Sequence, residues 1–202
     1  MMSEHPLASR IEATLQETGR LHQQIPADQI KQIAKAVQVI TKAIAGGRKV
    51  IWFGNGGSAT QSQHMAGEFV GRFLKERRSL PSLSLTENMA SVTAIGNDYS
   101  YDQIFSRQME GLGQAGDVAI GLSTSGNSKN VILGLEQAKQ MQIATIGFTG
   151  AGGGKMQGLC DICLCVPSTV TARIQEVHLT VGHILCGLVE DELAASGFIR
   201  TP

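Results

Sequence analysis

The sequence predicts an α/β fold of three layers: a five-stranded parallel sheet between helices, with two further helices leading in. Three observations carry that prediction. From Val50 onward, short apolar runs alternate with stretches of helical periodicity, the pattern of a parallel sheet covered on both faces. The 24 glycines and the scarcity of aromatic residues suit tight loops at strand ends. A chain of 202 residues buries one core well and would divide poorly into two. A single domain over residues 1–202 is therefore expected, with residues 1–46 a helical extension and residues 47–202 the α/β core.

Leu7, Ile11 and Leu15 recur at helical spacing, so a helix is expected from Leu7 to about Leu21. Pro26-Ala27-Asp28 starts a second, in which Ile30, Ile33, Ala34, Val37, Ile40 and Ile44 form a broad apolar stripe. Gly46-Gly47 ends it. Both apolar faces need cover, from the sheet or from another copy of the chain. Strands are expected at Val50–Phe53, Ser82–Leu85, Val118–Ser123, Ala144–Phe148 and Ile162–Val166. Helical patterns fill the intervals: Ser58–Leu74, Asn88–Ile95, Asp102–Leu112, Asn130–Met141 and a final Thr171–Ser196. Gly150–Gly154 is glycine-dense but directly follows the fourth strand, where open α/β sheets carry functional loops.

Lys plus Arg (17) balances Asp plus Glu (17), so no overall field draws in nucleic acid or an anionic membrane. Any phosphate binding must rest on local groups. No apolar run approaches a membrane span and the opening residues lack a signal-peptide core, so a cytoplasmic protein is expected. Cys160, Cys163 and Cys165 lie in LCDICLCVP, which offers a C-x-x-C but no second pair at zinc spacing. With Cys186 they read as packing residues in a reducing compartment.

Chemistry is densest between Lys49 and Glu68. An apolar run, Val50-Ile51-Trp52-Phe53, breaks at Gly54-Asn55-Gly56-Gly57-Ser58 and resumes as a helix carrying His64 and Glu68. Strand, glycine turn and helix aim backbone N–H groups and a positive dipole end at an anion. His64 and Glu68, four apart, share one helix face; a solvated surface pair is the competing reading. After the third strand, Leu122–Ser128 sets Ser123, Thr124, Ser125 and Ser128 around a glycine turn. Capping needs one hydroxyl, so the excess points to phosphate. Neither a Walker loop nor a G-x-G-x-x-G is present. The final helix carries Arg173-Ile174-Gln175-Glu176-Val177-His178 and Gly182-His183 among apolar residues, a polar cluster that needs partners. A metal would provide one for Gln175 and His183, although their Cα atoms lie about 12 Å apart along one helix. His178 competes by spacing. Two histidines and a glutamate suit a zinc-like ion.

Taken together, Phe53–Ser58, Gly96-Asn97-Asp98, Leu122–Ser128, Gly153-Gly154-Lys155-Met156 and Arg173–His178 resemble the sugar isomerase (SIS) domain family, and within it the phosphoheptose isomerases. The similarity runs over nearly the whole chain; Ala59-Thr60-Gln61 is the departure. The resemblance implies a flavodoxin-like sheet and a homotetramer with active sites at subunit contacts. It implies one Zn(2+) per subunit, held by His64, Glu68, Gln175 and His183. It places substrate contacts on Asn55, Gly56, Gly57, Ser58, Glu68, Asn97, Asp98, Ser123, Thr124, Ser125, Ser128 and Gln175. The implied reaction is an aldose–ketose isomerisation through an enediol(ate), with Glu68 and His183 sharing the proton transfers. It converts sedoheptulose 7-phosphate to D-glycero-D-manno-heptose 7-phosphate, at the head of ADP-heptose precursor synthesis for lipopolysaccharide. A different class is a non-enzymatic SIS adaptor like the DnaA initiator-associating protein, which shares the Arg-Ile-Gln-Glu pattern. His64, Glu68 and His183 together argue for the enzyme, since an adaptor has no reason to keep all three. Arg173 and Glu176 are expected to form a structural ion pair.

Overall fold

Val50–Gly54 is apolar along its length and buried at every residue, as a strand covered on both faces must be. It forms β1. The others are β2 (Ser82–Ser84), β3 (Val118–Leu122), β4 (Ala144–Thr149) and β5 (Ile162–Cys165). In the computed structural model, which describes residues 6–199, all five strands pair in parallel in the order β2-β1-β3-β4-β5. Val50 lies opposite both Ser82 and Val118, and Val118 opposite Ala144. This is the flavodoxin-like doubly wound order, whose ligand crevice opens at the carboxyl ends of the strands beside β1 and β3.

Period-two alternation sends β1 side chains to two cores. Val50 and Trp52 join Ile120 and Phe148 on one face, beneath α2 (Ala27–Ala45), α3 (Gly57–Val70) and α8 (Thr171–Ala195). Ile51 and Phe53 face the other way and pack with Phe105 of α5 (Ile104–Leu112) and Val131 and Leu135 of α6 (Lys129–Gln140). The three layers are those expected. Each strand, and each helix except α7 (Met156–Leu159), answers to a periodic segment of the sequence. That element is a single turn, too short to show a period. A 3-10 turn, Tyr101–Gln103, takes the start of the helix expected from Asp102.

The leading helices differ from each other. The stripe of α2 is core: Val37, Ile40 and Ile44 are buried against the sheet and α8. Helix α1 (Pro6–Gln23) turns Leu7, Ile11 and Leu15 outward, 56%, 61% and 67% exposed. It is held by Leu21, buried in the core, and by polar contacts to α8. Thr18 Oγ1 donates to Glu176 Oε2 at 2.9 Å and accepts from Arg173 Nη1 at 2.7 Å, while His22 Nε2 meets Thr180 Oγ1 at 2.9 Å. Arg173 and Glu176 form the expected ion pair at 2.6 Å.

Helix α3 stops at Val70, four residues before the expected Leu74. The N–H groups of Phe73, Leu74 and Lys75 go to the buried carboxylate of Glu190 rather than to helix carbonyls. Burial alone would raise the Glu190 pKa, but those bonds and the Arg77 guanidinium outweigh it and hold it below the usual carboxylate range. Burial pushes the thiols of Cys160, Cys163 and Cys186 up to about 12, as expected of packing cysteines. Among the described residues, no helix is long and apolar enough to cross a membrane.

His178 lies under the sheet rather than in a site. It is 2% exposed, its Nε2 is 3.1 Å from the Thr149 carbonyl, and its Nδ1 has no partner. Burial lowers its pKa to about 4, with the bond to Thr149 opposing. A neutral ring enclosed this way is not available to a shared ion.

Two outcomes follow. Ile40→Ala should cost about 2–5 kcal/mol in urea unfolding, whereas Ile11→Ala should change the stability of the isolated chain by less than about 0.5 kcal/mol. Because the folded-state pKa of His178 lies below that of an unfolded imidazole, the unfolded chain takes the proton first. Stability should be complete above about pH 6.5 and fall as pH drops toward 4, by up to about 3 kcal/mol from this group. In His178→Gln, which keeps an N–H for Thr149, the melting midpoint should fall less steeply over that window.

Candidate active site

Helices α3 and α8 lie side by side in the same direction, and their contact builds the first part of the site. A Cβ at Gly182 would overlap Met65 Sδ, a buried core atom, so the helices meet closely only because residue 182 has no side chain. A mid-helix glycine costs about 1 kcal/mol relative to alanine, a cost set here against that approach. The neighbouring residues on the two helices are thereby brought together. His64 Nε2 is 3.0 Å from His183 Nε2 and 3.4 Å from Glu68 Oε1, with the imidazoles edge to face. Phe73 stacks on the other side of His183, ring centroids 5.4 Å apart and 15° from parallel.

These three side chains can share one ion. Their donor atoms lie within 4.8 Å of one another, and no other group of three His, Cys, Asp or Glu residues does so among those described. Ligand atoms around a tetrahedral zinc, at bond lengths near 2.0–2.1 Å, stand about 3.3 Å apart. The observed 3.0 and 3.4 Å separations bracket that spacing. Two imidazoles and a carboxylate suit a borderline divalent ion, and three protein ligands leave a coordination position open, as catalytic zinc sites do.

Gln175 stands apart from this group in its own chain. Its amide lies against Gly57, where an added Cβ would come within 2.8 Å of Nε2 and 2.9 Å of Oε1. Ser58 Oγ is 3.5 Å from Nε2, a bond at the limit of reach. Eight residues separate Gln175 from His183, about 12 Å of helix.

The turn after β1 holds the second part. Asn55 and Asn130 exchange amide hydrogen bonds of 2.8 and 2.9 Å, and Tyr101 donates its hydroxyl proton to Asn55 Oδ1 at 2.9 Å. That network fills the carbonyl oxygen of Asn55 and leaves one N–H unspent. Asn130 and Tyr101 were not among the expected site residues. The signal for Asn130 was a polar residue at a position α6 turns inward, where it is 3% exposed. Tyr101 had none.

The loop after β3 clusters its hydroxyls. Ser123 Oγ is 2.8 Å from Ser128 Oγ and 3.4 Å from Ser125 Oγ, and Thr124 is half-buried beside them. Ser128 occupies the N-cap of α6, yet its side chain makes no capping bond. The Ser128 hydroxyl is therefore not consumed by the helix. In the first turn of α6 the Val131 N–H goes to Asn130 Oδ1 at 2.9 Å, which leaves the N–H groups of Lys129 and Asn130 to meet an anion. The glycine loop after β4 braces this turn: Gly150 N–H bonds to Thr124 O, Met156 N–H to Gly126 O, and Lys155 N–H to Asn127 Oδ1. Asn97 and Asp98 sit elsewhere, exposed at the end of α4 (Met89–Asp98) and bonded to each other at 2.8 Å. Asp98 lines a cleft of about 560 Å³ between α4 and α5, along with Glu87 and Arg107.

The SIS domain family model matches residues 15–150. The phosphoheptose isomerase of Rhodospirillum rubrum is 54% identical, over 81% of this chain and 87% of its own. Phosphoheptose isomerase 2 of Campylobacter jejuni is 48% identical over 95% and 96%. The solved phosphoheptose isomerase of Neisseria gonorrhoeae superposes with a TM-score of 0.86 at 37% identity, covering 92% of this chain and 99% of that one. Likeness of this extent reaches both the helix pair that carries the imidazoles and the hydroxyl loop, and the chain belongs to the SIS domain family, among its phosphoheptose isomerases.

Proposed function

We propose that the chain isomerises sedoheptulose 7-phosphate to D-glycero-D-manno-heptose 7-phosphate, the step that leads toward ADP-heptose precursors of lipopolysaccharide. The observation that carries this reading is the convergence of His64, Glu68 and His183 from two helices onto one ion-sized space. We take that ion to be zinc, one per subunit, and the compartment to be the cytoplasm. When bound, zinc supplies polarisation of the two neighbouring substrate oxygens.

The remaining work falls to the chain's own groups. Ser123, Thr124, Ser125 and Ser128, with the Lys129 and Asn130 N–H groups at the start of α6, take the phosphate without a lysine. Asn55 offers its unspent N–H to a sugar hydroxyl, and Gly56, Gly57 and Ser58 let the sugar lie close to the backbone. Glu68 and His183 share the proton transfers. A proton leaves the carbon beside the carbonyl, giving an enediol(ate), and returns to its neighbour, while the hydroxyl and carbonyl oxygens exchange theirs. Nothing is oxidised overall.

Two expected contacts call for a second subunit. Gln175, about 12 Å of helix from His183, reads as a ligand to the ion of an adjoining subunit, where the weak hold of Ser58 leaves its amide free to turn. Asn97 and Asp98 likewise read as contacts to a neighbour's sugar, because both are exposed at the end of α4, away from the imidazole group of their own chain. Both support a homotetramer with its active sites at subunit contacts. The adaptor reading gives no account of two imidazoles and a carboxylate meeting.

Purified protein incubated with sedoheptulose 7-phosphate should form the aldose, lose that activity to a chelator and regain it with zinc. No product under any of these conditions would favour the adaptor. Glu68→Gln should cut kcat by about 10²–10⁴ with an unchanged circular-dichroism spectrum; a fully active variant removes Glu68 from proton transfer. Gln175→Ala should weaken zinc binding by about tenfold or more in the assembled protein, measured by chelator competition, and equal affinity would take it out of the ligand set.

A further inference from the structure

One buried ion pair ties the end of α3 to α8. Arg77 and Glu190 are each 1% exposed at the side chain, with Nε and Oε1 2.7 Å apart. Glu190 also accepts the N–H groups of Phe73, Leu74 and Lys75 at 2.9–3.0 Å. Arg77 donates to the carbonyls of Glu68 at 2.8 Å, Phe69 at 2.9 Å, Gly71 at 3.2 Å and Arg78 at 3.1 Å. A buried pair of this kind is weak evidence of stability, since well-packed apolar residues often serve as well. What it does uniquely here is hold two points of one loop.

Those two points adjoin the imidazole–carboxylate group. The carbonyl bonded by Arg77 Nη2 belongs to Glu68 itself. The loop's other fixed point, Phe73, presents its ring flat against His183 and lies over Gly187 of α8. Metal-binding histidines are usually oriented by a hydrogen bond to their second ring nitrogen. The one hydrogen bond His183 makes among the described residues is to His64. Its ring plane therefore rests on packing, and Phe73 is the aromatic residue that supplies it.

We infer that residues 71–78, clamped by Arg77 and Glu190, are a positioning element for the metal site, with Phe73 setting the plane of His183 and Arg77 the backbone of Glu68. The ion is then held tightly only while the clamp is intact. This inference rests on the zinc reading above.

The test measures the zinc dissociation constant by competition with a chromophoric chelator, alongside the melting midpoint of the metal-free protein. Phe73→Ala should raise the dissociation constant about tenfold or more while leaving the metal-free midpoint within a few degrees of wild type. Phe73→Tyr, which keeps the ring, should restore it. Glu190→Gln, which turns an amide N–H toward backbone donors, should weaken zinc comparably. If that variant does not fold, the two Phe73 variants decide the matter. An unchanged dissociation constant in Phe73→Ala overturns the inference. His64→Ala separates the two levels of failure: if it binds zinc as wild type does, the metal reading fails and this inference with it. If it loses zinc while Phe73→Ala retains it, only the positioning role fails.

Discussion

The closeness of α3 to α8 is the constraint on which the site depends. Glycine at 182 admits Met65 into the space a side chain would fill, and the residues flanking both positions, His64 and His183, meet as a consequence. The imidazoles could not approach to 3.0 Å across helices held apart by two full side chains. The three polar side chains stand at the rim of that contact rather than on the buried face of Val177, Val181 and Leu185: His64 is exposed, and Glu68 and His183 are half-buried. The helix-interior glycine, the buried ion pair beyond it and the stacked phenylalanine are all departures from an economical apolar core. Each lies next to the same three side chains.

The loops proposed to hold the phosphate follow a different physical logic. They lie at the carboxyl edge of the sheet, where strand order places the ends of β1 and β3 next to each other. Here the backbone supplies the donors. The β1 turn, the hydroxyl loop and the glycine loop are joined by main-chain bonds and by a reciprocal amide pair. Such bracing fixes the loop backbone, while the hydroxyls of Ser123, Ser125 and Ser128 meet one another and would have to turn outward to hold a ligand.

A single chain leaves part of its surface without a partner. The outward stripe of α1 and a helix α4 that buries no residue fully, with only Val92 and Ile95 packed part-way against the core, are both at odds with the thrift of the two cores. Exposed apolar faces of this extent commonly mark contact between proteins. They lie on the elements that also carry, or adjoin, Asn97, Asp98 and Gln175, the residues that stand away from the imidazole group in their own chain.

Much of this was legible before any coordinates. Five apolar runs separated by helical periods identify the layers, because a strand buried on both faces and an amphipathic helix leave different periods in the chain. The hydroxyl loop and the imidazole–carboxylate spacing were legible for a similar reason: their chemistry is local. Four things were not. The end of α3 at Val70 depends on a carboxylate 120 residues away in Glu190, and no local signal competes with it. His178 and His183 are alike by spacing, and only burial under Thr149 separates the enclosed ring from the one that meets His64. The roles of Asn130 and Tyr101 follow from which groups they face across the sheet edge. Which apolar helix faces find cover within one chain was equally undecided. The sequence alone determined the elements and the chemical types; the tertiary structure decided which of those groups meet, because meeting depends on packing distances that no run of residues encodes by itself.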